Sequence, residues 1–323
     1  MSDFVLHGQF DNSDEYTSAI RAWDMDVVQL GRGELNADVL MVQAGDMELI
    51  HTSTDKKLHR YGSTPEGRKT FTIAALPDVT YLSCGKILTA DQIRIFPASL
   101  ELEGVSFENF DVFTVSITTA DLEKRLDDLG CQYVADATEK AHYLTPPPLA
   151  VSHLRDVLHG VSSLARSGSV EGKFQQVEEY VVSNLLSCLA KGTCGNSLPS
   201  FSRRAKGVRR AVCYIRDCVC ESIPLSDLCR EAGVSERTLH YGFKEILNTS
   251  PQAYIKAYKL RNVRQVLLSG IDTSVSQVAI QGGFLHLGQF SHDYKEQFGE
   301  LLSCTLKRTA LKPSLAVPPL KIG

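Results

Sequence analysis

Hydrophobic residues in the last third of the chain recur at every third or fourth position, which is the spacing of a helix with one buried face. Ile223 to Leu247 contains two such runs. Gly233 stands between them and suits the left-handed conformation that ends many helices, and Ser235 follows as a capping residue for the second run. The pattern predicts two helices joined by a tight turn, with a polar outer face on the second helix.

A looser copy of this pattern lies further along the chain. Ser274 to Gln281 predicts a short helix, Gly282 and Gly283 a turn, and a second helix follows from about His286 to Phe298. A long helix beginning at Pro251 separates the two units. With a rise of about 1.5 Å per residue, this long helix would hold the two units at a separation of roughly one helical turn of a DNA duplex.

A polar face on a short second helix suits the major groove of DNA, where base edges present donors and acceptors. The alternative is an ordinary helical hairpin with a solvated face. The charge distribution favours DNA, because residues 203–310 carry sixteen Lys and Arg against ten Asp and Glu. The rest of the chain carries eighteen against twenty-eight. A basic module joined to an acidic one is typical of a DNA reader attached to a domain that stays off DNA.

The residues from about Val208 to Arg308 resemble a known family. The segments GVSERTLHYGFKEILNTSPQAYIKAYKLRNVRQVLL, VSQVAIQGGF and HLGQFSHDYKEQFGE resemble the DNA-binding domain of the AraC/XylS transcription regulators. The resemblance implies a sequence-specific regulator with double-stranded DNA and RNA polymerase as partners, and no enzymatic activity. The chain departs from the family in having Asn248 where Gly is usual, and Glu300 soon after the closing Gly299 where Pro is frequent.

Individual roles follow for the polar faces of the two units. For the first unit we expect base-edge contacts from Arg237, His240 and Tyr241 and a phosphate contact from Lys244. In the second unit we expect a thymine-methyl contact from Leu287, close backbone approach at Gly288, and polar contacts from Gln289 and His292. Further phosphate contacts are expected from Arg261, Arg264 and Lys295. Many family members carry polar or Arg groups at positions 287, 288 and 292, so here the first unit would read bases and the second would grip backbone and shape.

Residues 1 to about 118 consist of short runs rich in Val, Ile, Leu and Thr, separated by Gly, Asp, Asn and Pro, which predicts a β-sandwich or small barrel. Gly31–Gly33 and Ala44–Asp46 are predicted hairpin turns. This half loosely resembles the cupin-like sensor domain of many AraC/XylS regulators. The predicted protein is therefore α+β, with four parts: a cupin-like β-barrel regulatory domain at 1–145, a helical linker or dimerisation segment at 146–202, an all-α DNA-binding domain with two helix-turn-helix units at 203–310, and a flexible tail at 311–323.

The predicted barrel lacks the ligand pattern of a metal-dependent cupin, which usually begins with two His one residue apart. His51 and His59 are eight residues apart, so we expect surface or hydrogen-bonding roles and neither metal nor cofactor. Cys218 and Cys220 lack paired ligands, and small apolar packing is expected of them. Trp23 is expected to pack in the core, with a place in the wall of a ligand pocket as the alternative.

Two amphipathic helices are predicted after the Pro146–Pro148 run. Their apolar stripes would either cover the barrel or pair with the same helices of a second subunit. A homodimer would place the reading helices on repeated half-sites.

Regulation is expected to reach the DNA-binding domain through the N-terminal half, by an effector or by a subunit contact. A second hypothesis places an anionic nucleotide messenger on arginines at and near the hinge: Arg166, Arg203, Arg204, Arg209 and Arg210. For the hinge arginines among these, Arg203, Arg204, Arg209 and Arg210, the default is phosphate contact with DNA or a solvated face. Two further classes are an N-terminal cupin enzyme fused to a DNA-binding tail, and a protein-interaction module. A polar-lined cavity would indicate a small ligand, and a filled interior with an exposed apolar patch would indicate a protein partner.

The cellular compartment is predicted from what the sequence lacks. The chain has no apolar N-terminal run and no uninterrupted apolar stretch approaching ~18 residues, so no signal peptide or membrane span is expected. Its nine cysteines are odd in number and scattered, which predicts reduced thiols rather than a disulfide framework. A cytoplasmic protein is expected.

Overall fold

A computed structural model describes residues 3–20, 25–83, 85–96, 101–194, 203–218, 223–269 and 274–311. Several positions considered above lie outside these ranges: Trp23, Cys84, Cys220, the linker residues 195–202 and the tail residues 312–323. The described residues form antiparallel sheets in the N-terminal half and helices in the C-terminal half, so the α+β class is confirmed.

The N-terminal half contains two antiparallel sheets that face each other. The eight-stranded sheet has the order β1-β3-β4-β11-β6-β9-β12-β13, and the five-stranded sheet has the order β2-β5-β10-β7-β8. The strands of the larger sheet are β1 Phe4–Phe10, β3 Ala37–Ala44, β4 Met47–Thr54, β6 Arg68–Ala74, β9 Ile93–Phe96, β11 Phe110–Thr118, β12 Tyr143–Thr145 and β13 Thr193–Cys194. Those of the smaller sheet are β2 Met25–Gln29, β5 Leu58–Ser63, β7 Tyr81–Ser83, β8 Lys86–Leu88 and β10 Glu101–Ser106.

One of the two predicted hairpin turns is present and the other is wrong. Gly45, with φ of 54°, makes the tight turn that pairs β3 with β4. Gly31–Gly33 instead connects β2 with β3, which belong to different sheets. The backbone nitrogen of Gly31 donates to the carbonyl of Lys57, and that of Gly33 donates to the carbonyl of Glu296. Gly31–Gly33 is therefore held by Lys57, which directly precedes β5, and by the C-terminal domain, rather than by a partner strand.

Helices cover the outer face of the eight-stranded sheet. The helices of the N-terminal half are α1 Ser13–Ala19, α2 Thr119–Asp128, α3 Gln132–Lys140, α4 Pro148–Arg166 and α5 Phe174–Leu189. The apolar stripes of α4 and α5 belong to one core with the sheet, exemplified by Leu154, Val181, Phe71 and Val115. Of the two possibilities left open for these stripes, they cover the sheet of their own chain.

The C-terminal domain consists of helices with two small cores. They are α6 Arg203–Asp217, α7 Leu225–Ala232, α8 Glu236–Leu247, α9 Pro251–Leu268, α10 Val275–Gln281, α11 Leu287–Phe298 and α12 Leu302–Leu311. The first core joins α6, α7 and α8 around Phe243, and the second joins α9, α10 and α11 around Phe290. The long helix α9 contributes to both cores, through Tyr254 and through Val263.

This helical domain lies on the outer face of the five-stranded sheet. Leu82 of β7 and Val105 of β10 share a hydrophobic core with α6, α7 and α8. Asp26 of β2 pairs with Arg216 of α6, at 2.6 Å, and with Arg261 of α9. The molecule is therefore layered in the order helices, eight-stranded sheet, five-stranded sheet and helical domain.

Candidate DNA interface

The first helix-turn-helix unit is built as the sequence predicts. Helix α7 ends at Gly233, with φ of 65°, and the side chain of Ser235 accepts the backbone N–H of Thr238 at the start of α8. At the end of α8, Asn248 adopts φ of 49°, the left-handed conformation that a Gly would otherwise supply. Both ends of α8 are therefore capped, which fixes the residues at which the helix begins and ends.

The outer face of α8 carries the residues predicted to contact DNA. Arg237, Tyr241 and Lys244 are exposed, and His240 is half-buried. Leu239 and Phe243 lie on the opposite, fully buried face. The guanidinium of Arg237 lies 5.6 Å from the centre of the Tyr241 ring, a contact that favours an extended arginine over a freely rotating one.

The second unit shows the same division into a buried and an exposed face. A capping box joins Ser274 and Gln277 at the start of α10. Gly283, with φ of 80°, supplies the left-handed residue of the turn. The outer face of α11 is exposed at all the predicted positions: Leu287, Gly288, Gln289, His292 and Lys295. A Cβ added at Gly288 would meet no atom within 4 Å, so its backbone is open to a close approach.

Asp293 connects α11 to α9, and sequence reasoning missed one of its partners. The carboxylate accepts Gln289 Nε2 at 2.8 Å and pairs with Lys256 Nζ at 2.7 Å. Burial raises the pKa of Asp293, but the hydrogen bonds from Lys256 and Gln289 outweigh it and leave the pKa below its ordinary value. Lys256 therefore helps to orient α11. Its position off the buried stripe of α9 is the signal that could have identified it.

Two of the predicted phosphate contacts on α9 are wrong in this arrangement. The Arg264 side chain is 1% exposed, and its Nε donates to Asp14 at 2.9 Å while Nη1 pairs with Glu300. Arg261 is 11% exposed and pairs with Asp26. Arg264 falls on the same helical stripe as the buried Leu260 and Leu267, so the spacing itself places it inside. Both arginines bind N-terminal carboxylates instead of facing solvent.

The arginines proposed for an anionic effector do not form one site. Arg166 pairs with Asp38 on the eight-stranded sheet. Although burial raises the pKa of Asp38, the hydrogen bonds from Arg166 and His7 lower it to about 2. Near α6, Arg204 pairs with Glu245, Arg209 lies 3.8 Å from Glu103, and Arg210 donates to the carbonyl of Ala232. The side chain of Arg203 is not among those that the structure describes. The arginines are thus divided among separate partners, and Arg166 is removed from the set.

His51 and His59 are not arranged as metal ligands. His51 Nε2 lies 2.8 Å from Asp111, and the buried His59 has its Nδ1 3.0 Å from the Tyr254 hydroxyl, so both make hydrogen bonds. Two groups of potential ligand atoms do come together in the described part of the chain, His292–Asp293–Glu296 and Asp46–Asp121–Glu178, each within 4.8 Å. The first group is already engaged by Lys256, and the second by Arg125.

Among the helices that the structure describes, none combines the length and the apolar character needed to cross a bilayer.

Comparisons with known proteins agree with this geometry. A family model described as "Helix-turn-helix domain" matches residues 228–308. The chain is 34% identical over 151 residues to the XylDLEGF operon transcriptional activator 3 of Pseudomonas putida, covering 45% of this chain and 46% of that protein. It is 39% identical over 105 residues to the XylDLEGF operon transcriptional activator 2 of the same species, covering 32% of this chain and 67% of that protein.

A solved structure of a probable AraC family transcriptional regulator from Rhodopseudomonas palustris is 32% identical over 32% of this chain and 96% of that one, with a TM-score of 0.31. The chain spans less than half the length of the first of the curated relatives. The match to activator 2 extends over two thirds of that protein. The chain belongs to the AraC/XylS family of transcription regulators.

Proposed function

We propose that this regulator reads a DNA sequence by placing α8 and α11 in successive turns of one major groove. The observation that carries the proposal is the pair of exposed polar faces on α8 and α11, each backed by a buried apolar face. Both helices pack against α9, which has 18 residues and so a length of about 27 Å at 1.5 Å per residue. That length approaches the roughly 34 Å between successive major-groove faces.

The residue roles divide between base reading and backbone contact. In α8 we assign base edges to Arg237, His240 and Tyr241, and phosphate to Lys244. In α11, Gly288 allows close backbone approach, Leu287 meets a thymine methyl, and Gln289 and His292 make polar contacts, with Lys295 on phosphate. Arg261 and Arg264 are left out of this interface because N-terminal carboxylates hold them.

Control by the N-terminal domain acts through the docked arrangement of the two halves. The five-stranded sheet contacts α6 and α9 directly, so a change in that sheet alters how the reading helices are held. A two-state element of this kind responds to any ligand that binds its two arrangements unequally. We further propose that the protein acts as a homodimer on paired half-sites and acts through RNA polymerase. We propose activation as its effect because two of its relatives are named operon transcriptional activators.

The test uses the whole chain and a matched pair of tyrosine variants. Binding selection from a random duplex library is expected to return one motif with two blocks separated by about one helical turn. Tyr241→Ala on α8 and Tyr180→Ala on α5 remove equally exposed rings, at 55% and 53%. Affinity for the selected duplex is expected to fall for Tyr241→Ala only. Equal affinity for all duplexes, or equal loss in the two variants, contradicts the proposal.

A further inference from the structure

One loop of the N-terminal half lies beside the C-terminal end of α8. This bridging loop, residues 29–34, begins at the end of β2 and is joined to the residue that precedes β5. The backbone N–H groups of Leu30 and Gly31 both donate to the carbonyl of Lys57, at 2.8 and 2.9 Å. Lys57 Nζ in turn donates to the carbonyl of Asn248, the residue that ends α8. The bridging loop and Lys57 therefore form one connected structure that reaches α8.

The same bridging loop supplies hydrogen-bond donors to the last turn of α11. The backbone N–H of Gly33 donates to the carbonyl of Glu296 at 3.0 Å. Gln29 Nε2 donates to the carbonyl of Gln297, also at 3.0 Å. The last four carbonyls of an α-helix have no partner within the helix, and α11 ends at Phe298. The bridging loop therefore satisfies two carbonyls that α11 cannot satisfy itself.

Gln29 and Gln297 form a reciprocal pair that is closed to solvent. The two residues are 3% and 9% exposed, and Gln297 Nε2 donates back to the carbonyl of Gln29 at 2.8 Å. Next to them the backbones are in close contact, since a Cβ added at Gly299 would lie 2.5 Å from the backbone nitrogen of Glu34. Buried polar groups are costly to separate from their partners, and hydrogen bonds are directional. The pair therefore fixes the end of α11 against the bridging loop.

The bridging loop and Lys57 add a second connection between the two helix-turn-helix units. The units have separate hydrophobic cores, and α9 contributes to both. If α9 alone joined them, a small bend in that helix would change the distance and the angle between α8 and α11. A connection between the ends of α8 and α11 restrains both quantities further.

We propose that the bridging loop and Lys57 set the gap between the two base-pair blocks that the protein recognises, with Gln29 and Lys57 as positioning residues. Inserting one base pair moves the second block by about 3.4 Å and turns it by roughly 35° about the duplex axis. Two helices held at a fixed separation therefore meet both blocks at one gap only. The proposal rests on the DNA-reading function proposed above, and it assigns part of the DNA specificity to the N-terminal half.

The test measures the affinity of the full chain for three duplexes. They carry the selected motif with its gap unchanged, lengthened by one base pair or shortened by one base pair. The wild type is expected to bind the two altered duplexes about tenfold more weakly, which is comparable to the effect of one mismatched base pair. Gln29→Leu removes the amide and keeps a side chain of similar size. This variant is expected to lose most of the discrimination between gaps while keeping the base preference within each block.

Gln43→Leu is the matched control for Gln29→Leu. Gln43 is 2% exposed, and its Nε2 donates to the carbonyls of Gly45 and Met47 in the β3–β4 turn of the larger sheet. Both substitutions thus remove a buried amide that bonds to turn carbonyls, but only Gln29 also bonds to α11. Gln43→Leu should keep the wild-type discrimination between gaps even if its unfolding temperature falls.

A second pair of variants tests the connection to α8 and decides the case if Gln29→Leu does not fold. Lys57→Met removes the hydrogen bond to Asn248 and is expected to reduce the discrimination between gaps. Lys56→Met is its control, because Lys56 pairs with Asp55 of the same turn, at 2.7 Å. Thermal unfolding of each variant shows which of them are folded.

Three results would overturn the proposal. The first is equal discrimination between gaps in the folded variants and their controls. The second is a Gln29→Leu variant that binds all three duplexes more tightly by the same factor, which would make the bridging loop an obstacle to DNA. The third is a wild type that tolerates every gap, and this result would leave the DNA-reading function intact. If no motif can be selected at all, the proposed function fails and this inference fails with it.

Discussion

In the proposed interface, Arg237 is the residue on which base reading is expected to depend most directly. It is exposed near the start of α8 and its guanidinium lies over the ring of Tyr241. Arg237→Ala is expected to cost roughly 1–3 kcal/mol on the preferred duplex and to relax the preference at one base pair. Competition binding with duplexes changed at single positions measures both effects. A loss of the same size on every duplex would assign Arg237 to the backbone instead.

Lys295 is proposed to contact phosphate, and such a contact carries no sequence information, in contrast to the base contact proposed for Arg237. It is exposed in the last turn of α11, away from the first turn that carries Leu287 and Gly288. Lys295→Ala is expected to weaken binding evenly on all duplexes and to reduce the slope of log affinity against log salt by about one. Salt titrations of the variant and the wild type measure this slope. A changed base preference with an unchanged slope would be the contrary result.

Lys57 is expected to make the docking of the DNA-binding domain depend on pH. Its Nζ donates to the carbonyl of Asn248, at the end of α8. Burial and the positive charge of Lys244 lower the pKa of Lys57 to about 8, from an ordinary 10.5. Between pH 8 and 10.5, Lys57 is therefore protonated when the DNA-binding domain is undocked and largely deprotonated when it is docked. The docked form is favoured as pH rises through this window, and that contribution is lost as pH falls through about 8.

The expected result is a difference between two pH profiles. The unfolding temperature of the wild type should rise between pH 8 and 10 relative to that of Lys57→Gln, which has no titrating group at this position. Parallel profiles would show that Lys57 titrates alike in both states.

Helical spacing explains which residues of the proposed interface could be predicted from the sequence and which could not. The exposed positions on α8 and α11 follow from helical spacing, because the apolar residues fix which face is buried. The same spacing places Arg264 among buried residues. Its positive charge, close to the predicted DNA-reading helices, instead favours a phosphate contact when the sequence is considered alone. Its partners Asp14 and Glu300 are 250 and 36 residues away along the chain. No local pattern relates them.

At the scale of an element, substitutions of two glycines in the second helix-turn-helix unit are expected to have different effects. Gly282 is tested for its role in packing, and Gly288 for its role in DNA contact. A Cβ at Gly282 would lie 2.4 Å from Val263 Cγ2, so α10 would have to move away from α9. Gly282→Ala is expected to destabilise the chain by about 1–3 kcal/mol, since overpacking forces such shifts. Gly288→Ala meets no atom of the protein within 4 Å and should leave stability unchanged while lowering DNA affinity. Chemical denaturation and gel-shift titration of both variants measure the two effects.

The opposite pattern would reassign both residues. A Gly288→Ala variant with full DNA affinity would show that the start of α11 does not approach the duplex. A Gly282→Ala variant of full stability would show that α9 and α10 separate at little cost.

Elements are predictable from this sequence where the information is local. Gly233 and Ser235 define the first turn, and Gly45 defines the β3–β4 hairpin. Gly31–Gly33 has the same composition as a hairpin turn, yet β2 and β3 separate into different sheets. That separation depends on pairing between β2 and β5, which are about thirty residues apart, and on the contact of Gly33 with Glu296. The facing of the two sheets could not be predicted for the same reason.

At the scale of the whole molecule, Asp26 is the clearest single link between the two halves. Its side chain is 19% exposed and pairs with Arg216 and Arg261 of the helical domain. Asp26→Asn is expected to weaken docking by about 1–3 kcal/mol, because it leaves two largely buried arginines without their counterion. Even 1 kcal/mol changes a two-state population about fivefold. Amide hydrogen exchange should therefore rise in β2 and α9, and the DNA affinity of the whole chain should change because α8 and α11 both pack against α9.

Asp111→Asn provides a matched control for this change. Asp111 is similarly buried, at 20% exposure, but its partner His51 belongs to the eight-stranded sheet. Exchange in α9 and DNA affinity should stay as in the wild type. If both substitutions act alike, the effect is general destabilisation and not release of the helical domain.

Strands β5 and β10 form one wall of the space between the two sheets, and their outer face is the surface on which the helical domain lies. A substitution on these strands therefore acts on both packed faces at once. Residues of the far wall, such as Thr72 and Thr114, line the same space without touching the helical domain's seat. Substitutions in the far wall are therefore expected to alter the space between the sheets while leaving the docking of the helical domain unchanged.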